Sequence, residues 1–437
     1  MLSHTGVCPS MSSGTLPDGS AFFAAPLCHS GLSISMHSVV KGKPDCFAAS
    51  QPRSDQLDKV RVPMTIFMGD LLRDHHTGRR QCQQASRARL DFASVNAKRH
   101  STPKVIAGSS EPMMQIVEAA SHASLDGYAV REVPIPQPGP GQILVKVNAC
   151  GVSYVDALVA LGRYQVKPPL PHIPGSEIAG TVARLGEGVT DFAPGDRVLA
   201  QTVAGFAEYA LCPAAAARPL PATISDAQAV ALPLNYLTAL HGLRDRAHLV
   251  AGERLLVFGA AGGVGAAAVQ IGRLLGAEVI GVASTPEKRA AAQEFGAHAV
   301  IDRNPEGWRD RLKAIAPGGI DIVYDPATGA LFEAAFRSLR WGGRHLVIGF
   351  ASGNIPALPA NLPLMKGAGL LGVDVRQFSQ TYGRAQAPAY LDEIIAWAAS
   401  GALVPPVGRV FGFADFGPAL ALALGGDSIG KTVLLTP

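Results

Sequence analysis

"VFGAAGGVGAAAVQ", residues 257–270, sets a glycine-rich turn between an apolar run and a stretch of helical texture. "LLVF" (255–258) predicts a strand, and Val264, Ala268, Ile271 and Leu275 then recur at helical spacing, so the glycines fall at a strand-to-helix turn. Ala260, Gly262 and Gly265 follow G-x-G-x-x-G with alanine in the first place. In such a turn Gly262 lets the backbone approach a pyrophosphate and Gly265 lets helix and strand pack closely. The amides of Ala261, Gly263 and Val264 belong to the same loop, at a helix end that carries partial positive charge. A glycine turn alone serves equally as a plain tight βα connection; what surrounds it decides.

Around it, "RLLVF", "AEVIGVA", "HAVI", "IDIVY", "RHLVIGF" and "GLLGV" are short, continuously apolar runs separated by helix-length stretches. That texture predicts a parallel sheet buried on both faces, a doubly wound α/β domain over 237–374. The preceding "YAVREVPIPQPGPGQILVKVNACGV" (128–152) and "SEIAGTVARLGEGV" give β-rich runs broken by Pro and Gly turns. They predict a compact β domain over 113–236, which the segment 375–437 returns to complete. "SDAQAVALPLNYLTALHGL" (225–243) has helical texture, opened by Ser225 and Gln228 in capping-box spacing.

The chain has 437 residues and a formal net charge of +4, with 48% hydrophobic and 16% charged residues. Residues 1–112 carry 13 Lys and Arg against 8 Asp and Glu, whereas 113–437 carry 25 against 26. The body is thus near neutral and lacks the basic footprint of a nucleic-acid binder. Residues 1–112 show no sustained period, which reads as a disordered extension; a targeting segment and a misassigned start, with Met113 or Met114 as the working one, are the other two readings. No apolar run reaches the ~18 residues of a membrane span. Cys150 and Cys212, the body's cysteines, have no metal-type spacing and read as buried hydrophobes of a reducing, cytoplasmic protein.

The end of the second strand bears on which dinucleotide binds. An NAD site usually places an acid there for the ribose 2′-OH, but "AEVIGVASTPEKR" has none before Glu287. Ser284, Lys288 and Arg289 offer hydroxyl and cationic donors to a 2′-phosphate instead, or form a solvated helix face. The missing acid favours NADPH.

"PQPGPGQILVKVNACGVSYVDAL", "GRYQVKPPLPHIPGSEIAGTVARLGEGV", "GDRV", "GFAEYA", "LPLNYLTALHGL", "AAGGVG", "GAHAVID" and "VYDPATG", in that order, make 113–437 resemble the zinc-independent NADPH:quinone oxidoreductases, the zeta-crystallin-like group of the medium-chain dehydrogenase/reductase superfamily. The resemblance implies a β-rich GroES-like catalytic domain beside a Rossmann-type domain, and a homodimer. In the superfamily's zinc enzymes the places of Ser153 and Ser176 are typically cysteine and histidine ligands, and serine is a poor zinc ligand. The expectation is therefore no metal, and hydride delivery to an acceptor that is already electrophilic, a quinone, with an acyl thioester or enone (2-enoyl reduction) as the alternative. A noncatalytic, crystallin-like or RNA-associated NADPH-binding protein is the reading from another class.

By the same resemblance Tyr164, in "GRY", lies near substrate, or packs on Pro168 and Pro169. Thr238 and Asn235 face the cofactor, or are helix-boundary polar residues. Tyr154 and Phe350 wall the nicotinamide pocket, or pack in the core. Three departures stand out: Ser153 replaces a frequent Asn, Arg303 replaces a tyrosine that stacks near the adenosine end, and Gly426 replaces an arginine that meets the 2′-phosphate.

Overall fold

The computed structural model describes residues 112–437 and two short strands, β1 (Ser13–Thr15) and β2 (Ala21–Phe23), which pair antiparallel. The readings of the leading segment as an extension, a targeting segment or a misassigned start lie outside the described residues.

The β-rich part begins with the antiparallel pair β3 (Met113–Glu118) and β4 (Ala129–Pro134). It continues through β5 (Gln142–Val152), β6 (Glu177–Leu185), β7 (Arg197–Gln201), β8 (Tyr209–Pro213) and β9 (Ala217–Pro219). Six strands follow with helices between them: β10 (Arg254–Phe258), β11 (Glu278–Val282), β12 (Ala299–Ile301), β13 (Ile320–Asp325), β14 (Leu339–Val347) and β15 (Gly369–Gly372). They form one all-parallel sheet in the order β12-β11-β10-β13-β14-β15. The order reverses between β10 and β13, and a crevice opens at such a point beyond the carboxyl ends of the strands.

Side-chain alternation explains why these strands read as unbroken apolar runs. Leu255, Val257, Val279 and Ile322 enter the core on one face of the sheet, and Leu256, Phe258, Ile280 and Val323 enter the core on the other. Helices cover both faces, so neither strand face is polar. Ala268 and Ile271 of the helix Gly263–Leu274 are fully buried, while Val264 and Leu275 pack at its edge. The cysteines Cys150 and Cys212 are both buried, and burial raises both thiols, Cys212 to about 12.

The helical stretch after Ser225 departs from expectation. Its capping box is present, but the stretch breaks into an α-turn (Asp226–Ala229), wide π-helical turns (Leu232–Tyr236 and His241–Arg246) and an α-turn between them (Leu237–Leu240). Pro233 has no N–H to give, and the Leu234 N–H donates to Glu177 Oε1 at 2.7 Å instead of to the helix.

β16 (Val407–Gly412) and β17 (Lys431–Leu435) return to the β-rich sheet, where β17 pairs antiparallel with β5. Lys431 on β17 then donates to Glu177 Oε2 on β6, both side chains at or below 3% exposure. Gly151 leaves room for the pair, since a Cβ there would lie 2.7 Å from Lys431 Cε and from Val230 O. No described helix is long and apolar enough to cross a membrane.

Breaking a buried ion pair strands a charge in low dielectric. Lys431→Ala is expected to cost about 3–5 kcal/mol in denaturant unfolding, and the double variant Lys431→Met with Glu177→Gln to recover much of that loss.

Candidate active site

The glycine turn lies at the carboxyl end of β10, beside the reversal in strand order. Gly259 takes the left-handed conformation, φ +61°, that starts it. Gly259 immediately precedes Ala260, the residue in the motif's first place. Ala260 is buried, its N–H donates to Val282 O at 3.2 Å, and its methyl fits because Gly281 faces it across the sheet. Gly265 is where helix meets strand, since a Cβ there would sit 2.1 Å from Gly259 O. At Gly262 the situation is the opposite: an added Cβ would meet only Gly259 O, at 3.5 Å. The helix Gly263–Leu274 starts on Gly262 with no side-chain cap. The uncapped first turn opens at Gly262 and is bordered at Gly263 by the Asn235 side chain, a cradle that a pyrophosphate fits.

A ring of contacts ties this cradle to the β-rich domain. Gly430 N–H donates to Ala261 O at 2.8 Å, and Gly430 bridges Gly262 in parallel register. Lys431 binds Glu177, and Glu177 accepts from Leu234. Asn235, next in the chain and only 4% exposed, lies so close to Gly263 that a Cβ there would be 2.7 Å from its Nδ2. Thr238 is also buried and donates its hydroxyl to Leu234 O at 2.5 Å.

Ser153 and Ser176 come together through a residue that the sequence reading passed over. Ser153 caps the helix Tyr154–Ala160, and its Oγ lies 2.5 Å from Asp156 Oδ2, with the Ser153 N–H on the same oxygen at 2.8 Å. Ser176 Oγ reaches Asp156 Oδ1 at 3.5 Å. Burial raises the Asp156 carboxyl above its usual range, against the lowering effect of nearby Lys431 and of the Ser153 hydrogen bond. Among the described residues no group of three or more His, Cys, Asp and Glu is arranged to hold a metal ion.

The remaining candidates stand apart from the ring. Tyr154 opens the helix that Ser153 caps and is half-buried; Phe350, beyond β14, is 40% exposed. Ser284 is half-buried just past β11, Arg289 donates to Ala283 O and Ser284 O at 3.4 and 3.3 Å, and Arg303 is exposed after β12. Lys288 reaches Asp427 Oδ1 at 3.3 Å and Gly426 O at 3.4 Å. Tyr164 is half-buried in the loop after the Tyr154–Ala160 helix, and a buried polar group holds both ends of that loop. The Tyr128 hydroxyl lies 2.7 Å from His172 Nδ1 and 3.3 Å from Ala160 O, and His122 Nε2 donates to Pro168 O at 3.2 Å. An open cavity of about 560 Å³, lined by Asp245, Arg246, His248 and Arg344, lies at the amino ends of the strands, away from the cradle.

A glycine cradle at the reversal point of a parallel sheet, stitched to a β-rich domain, defines a two-domain dinucleotide-type oxidoreductase. Residues 139–222 match the alcohol dehydrogenase GroES-like domain family and 263–394 the zinc-binding dehydrogenase family. The quinone oxidoreductase-like protein 2 homolog of Nematostella vectensis is 36% identical over 303 residues, 68% of this chain and 82% of that protein. Two solved structures align over 74% of this chain: an NAD-dependent alcohol dehydrogenase (TM-score 0.69, 27% identity, all of that chain) and mycobacterial Rv1454c complexed with NADPH (0.68, 29%, 99% of that chain). The chain belongs to the quinone oxidoreductase, zeta-crystallin-like family of the medium-chain dehydrogenase/reductase superfamily.

Burial, and then the nearby His122, push His172 down from 6.5 to about 4. Because the unfolded imidazole binds a proton more readily than the folded one, stability should fall as pH drops from about 6.5 to about 4 and level off below. Denaturant unfolding at stepped pH should show that limb in the natural protein and a flatter one in His172→Gln.

Proposed function

We propose that the protein reduces quinones with NADPH and without a metal ion. One observation carries the reading: the uncapped helix end at Gly262 and its open backbone cradle, at the sheet's reversal point. Bound there, the cofactor supplies a hydride from nicotinamide C4. The amides of Gly263, Val264 and Gly265 would hold its pyrophosphate, and Ser284, Lys288 and Arg289 would meet its 2′-phosphate. Arg303 would serve the adenosine end. Asn235 and Thr238 would back the nicotinamide end, and Tyr154 and Phe350 would wall it from water.

The acceptor oxygen that gains negative charge after hydride arrival needs a proton. Tyr164 is the donor assigned to it, with Ser153 beside Asp156 as a second hydroxyl. The Ser153 and Ser176 hydroxyls are engaged by Asp156, and neither brings the thiolate or imidazole that zinc selects. The NADPH-complexed mycobacterial structure supports the cofactor, and the quinone oxidoreductase-like relative supports the acceptor class.

The full chain should oxidise NADPH with quinones and keep that activity after zinc chelation. Tyr164→Phe should lower kcat by about 10²-fold, the usual worth of a positioned proton donor. Saturation of an enone or enoyl thioester with negligible quinone turnover would replace the quinone by the alkene; NADPH binding without turnover on either would favour a noncatalytic role.

The cradle has its own test. Gly265→Ala should cost about 1–3 kcal/mol in denaturant unfolding, because the new methyl meets backbone. Gly262→Ala, at φ −80°, should stay within about 0.5 kcal/mol of the natural protein and yet weaken NADPH binding in fluorescence titration.

A further inference from the structure

β11 ends at Val282 without an acid, and the cation that follows it is already occupied. Lys288 is only 15% exposed at its side chain and has lost most of its water, and its ammonium rests on the Asp427 carboxylate and the Gly426 carbonyl. Asp427 is itself 80% exposed, so little but this contact holds its charge. It belongs to the segment that crosses from the helix Phe416–Gly425 to β17.

The backbone of that segment is fixed on both sides of Asp427. Gly426 ends the helix in the left-handed conformation, φ +69°, and Gly430 is bonded to Ala261 in the glycine turn. Ser428 Oγ meets Thr432 Oγ1 at 2.9 Å. Asp427 thus cannot leave with its backbone; only its side chain can rotate away.

We propose that Asp427 is a cofactor-selectivity residue, an internal anion that holds Lys288 and disfavours entry of a 2′-phosphate, so that the pair sets the ratio of NADPH to NADH affinity. The inference rests on the dinucleotide reading above. A phosphate dianion arriving at Lys288 must share the ammonium with a carboxylate and bear its repulsion. A ribose 2′-OH brings no charge and can donate to Asp427, which then supplies across the chain the acceptor that β11 lacks.

The test is titration of the full-length protein with NADPH and with NADH by nucleotide fluorescence, at low salt and at about 0.5 M salt, where exposed charges are screened. Asp427→Asn should tighten NADPH binding by about three- to tenfold at low salt, leave NADH unchanged or weaker, and lose most of its effect at high salt. Asp427→Glu, which keeps the charge, should stay near the natural ratio, and Lys288→Ala should weaken NADPH alone. An unchanged NADPH-to-NADH ratio in Asp427→Asn, or equal shifts for both nucleotides, overturns the inference while the functional reading stands. Binding of neither nucleotide by the natural protein overturns both.

Discussion

At the seam between the two halves of the molecule a buried carboxylate has a partner on each side. Glu177 stands on β6, takes the Lys431 ammonium on one oxygen and the Leu234 amide on the other, and through these two partners touches both β17 and the broken helix that leads into the parallel sheet. Removed from water, it is tolerable only because both oxygens are satisfied. Its reward is positional. Leu234 precedes Asn235, which packs on the helix start, and Lys431 follows Gly430, which is bonded to the glycine turn. A buried charge therefore contributes, beside the shared apolar core, to where the glycine turn sits relative to the β-rich domain.

The same economy appears at the serines. Asp156 completes a helix cap, a routine structural duty, and in doing so draws Ser153 and Ser176 toward one carboxyl group. The raised affinity of Asp156 for a proton follows from burying that cap. Two hydroxyls thus share one buried carboxyl group.

The doubly wound sheet was legible because burial on both faces leaves an unmistakable pattern, as Leu255 to Phe258 show by feeding alternate cores. The glycine turn was legible for a similar reason: backbone approach forbids side chains. The left-handed residue, Gly259, lies just before the alanine that fills the motif's first position. The broken helix was not legible. Only Pro233 signalled it, and the partner that diverts Leu234 is 57 residues away in sequence. Asp156, Asp427 and the Glu177–Lys431 pair escaped for the same cause: a carboxylate acquires meaning from neighbours that the fold, not the local pattern, supplies. Gly426 was noted as a departure, and the residue after it proved the more informative.

The bridge from Gly430 to Gly262 has a temporal side. β17 is translated after every element it joins, so a growing chain can fold its parallel sheet while the nucleotide loop still lacks its outer neighbour. A polypeptide halted before that strand would leave the glycine turn without the Gly430 latch even with its parallel sheet formed.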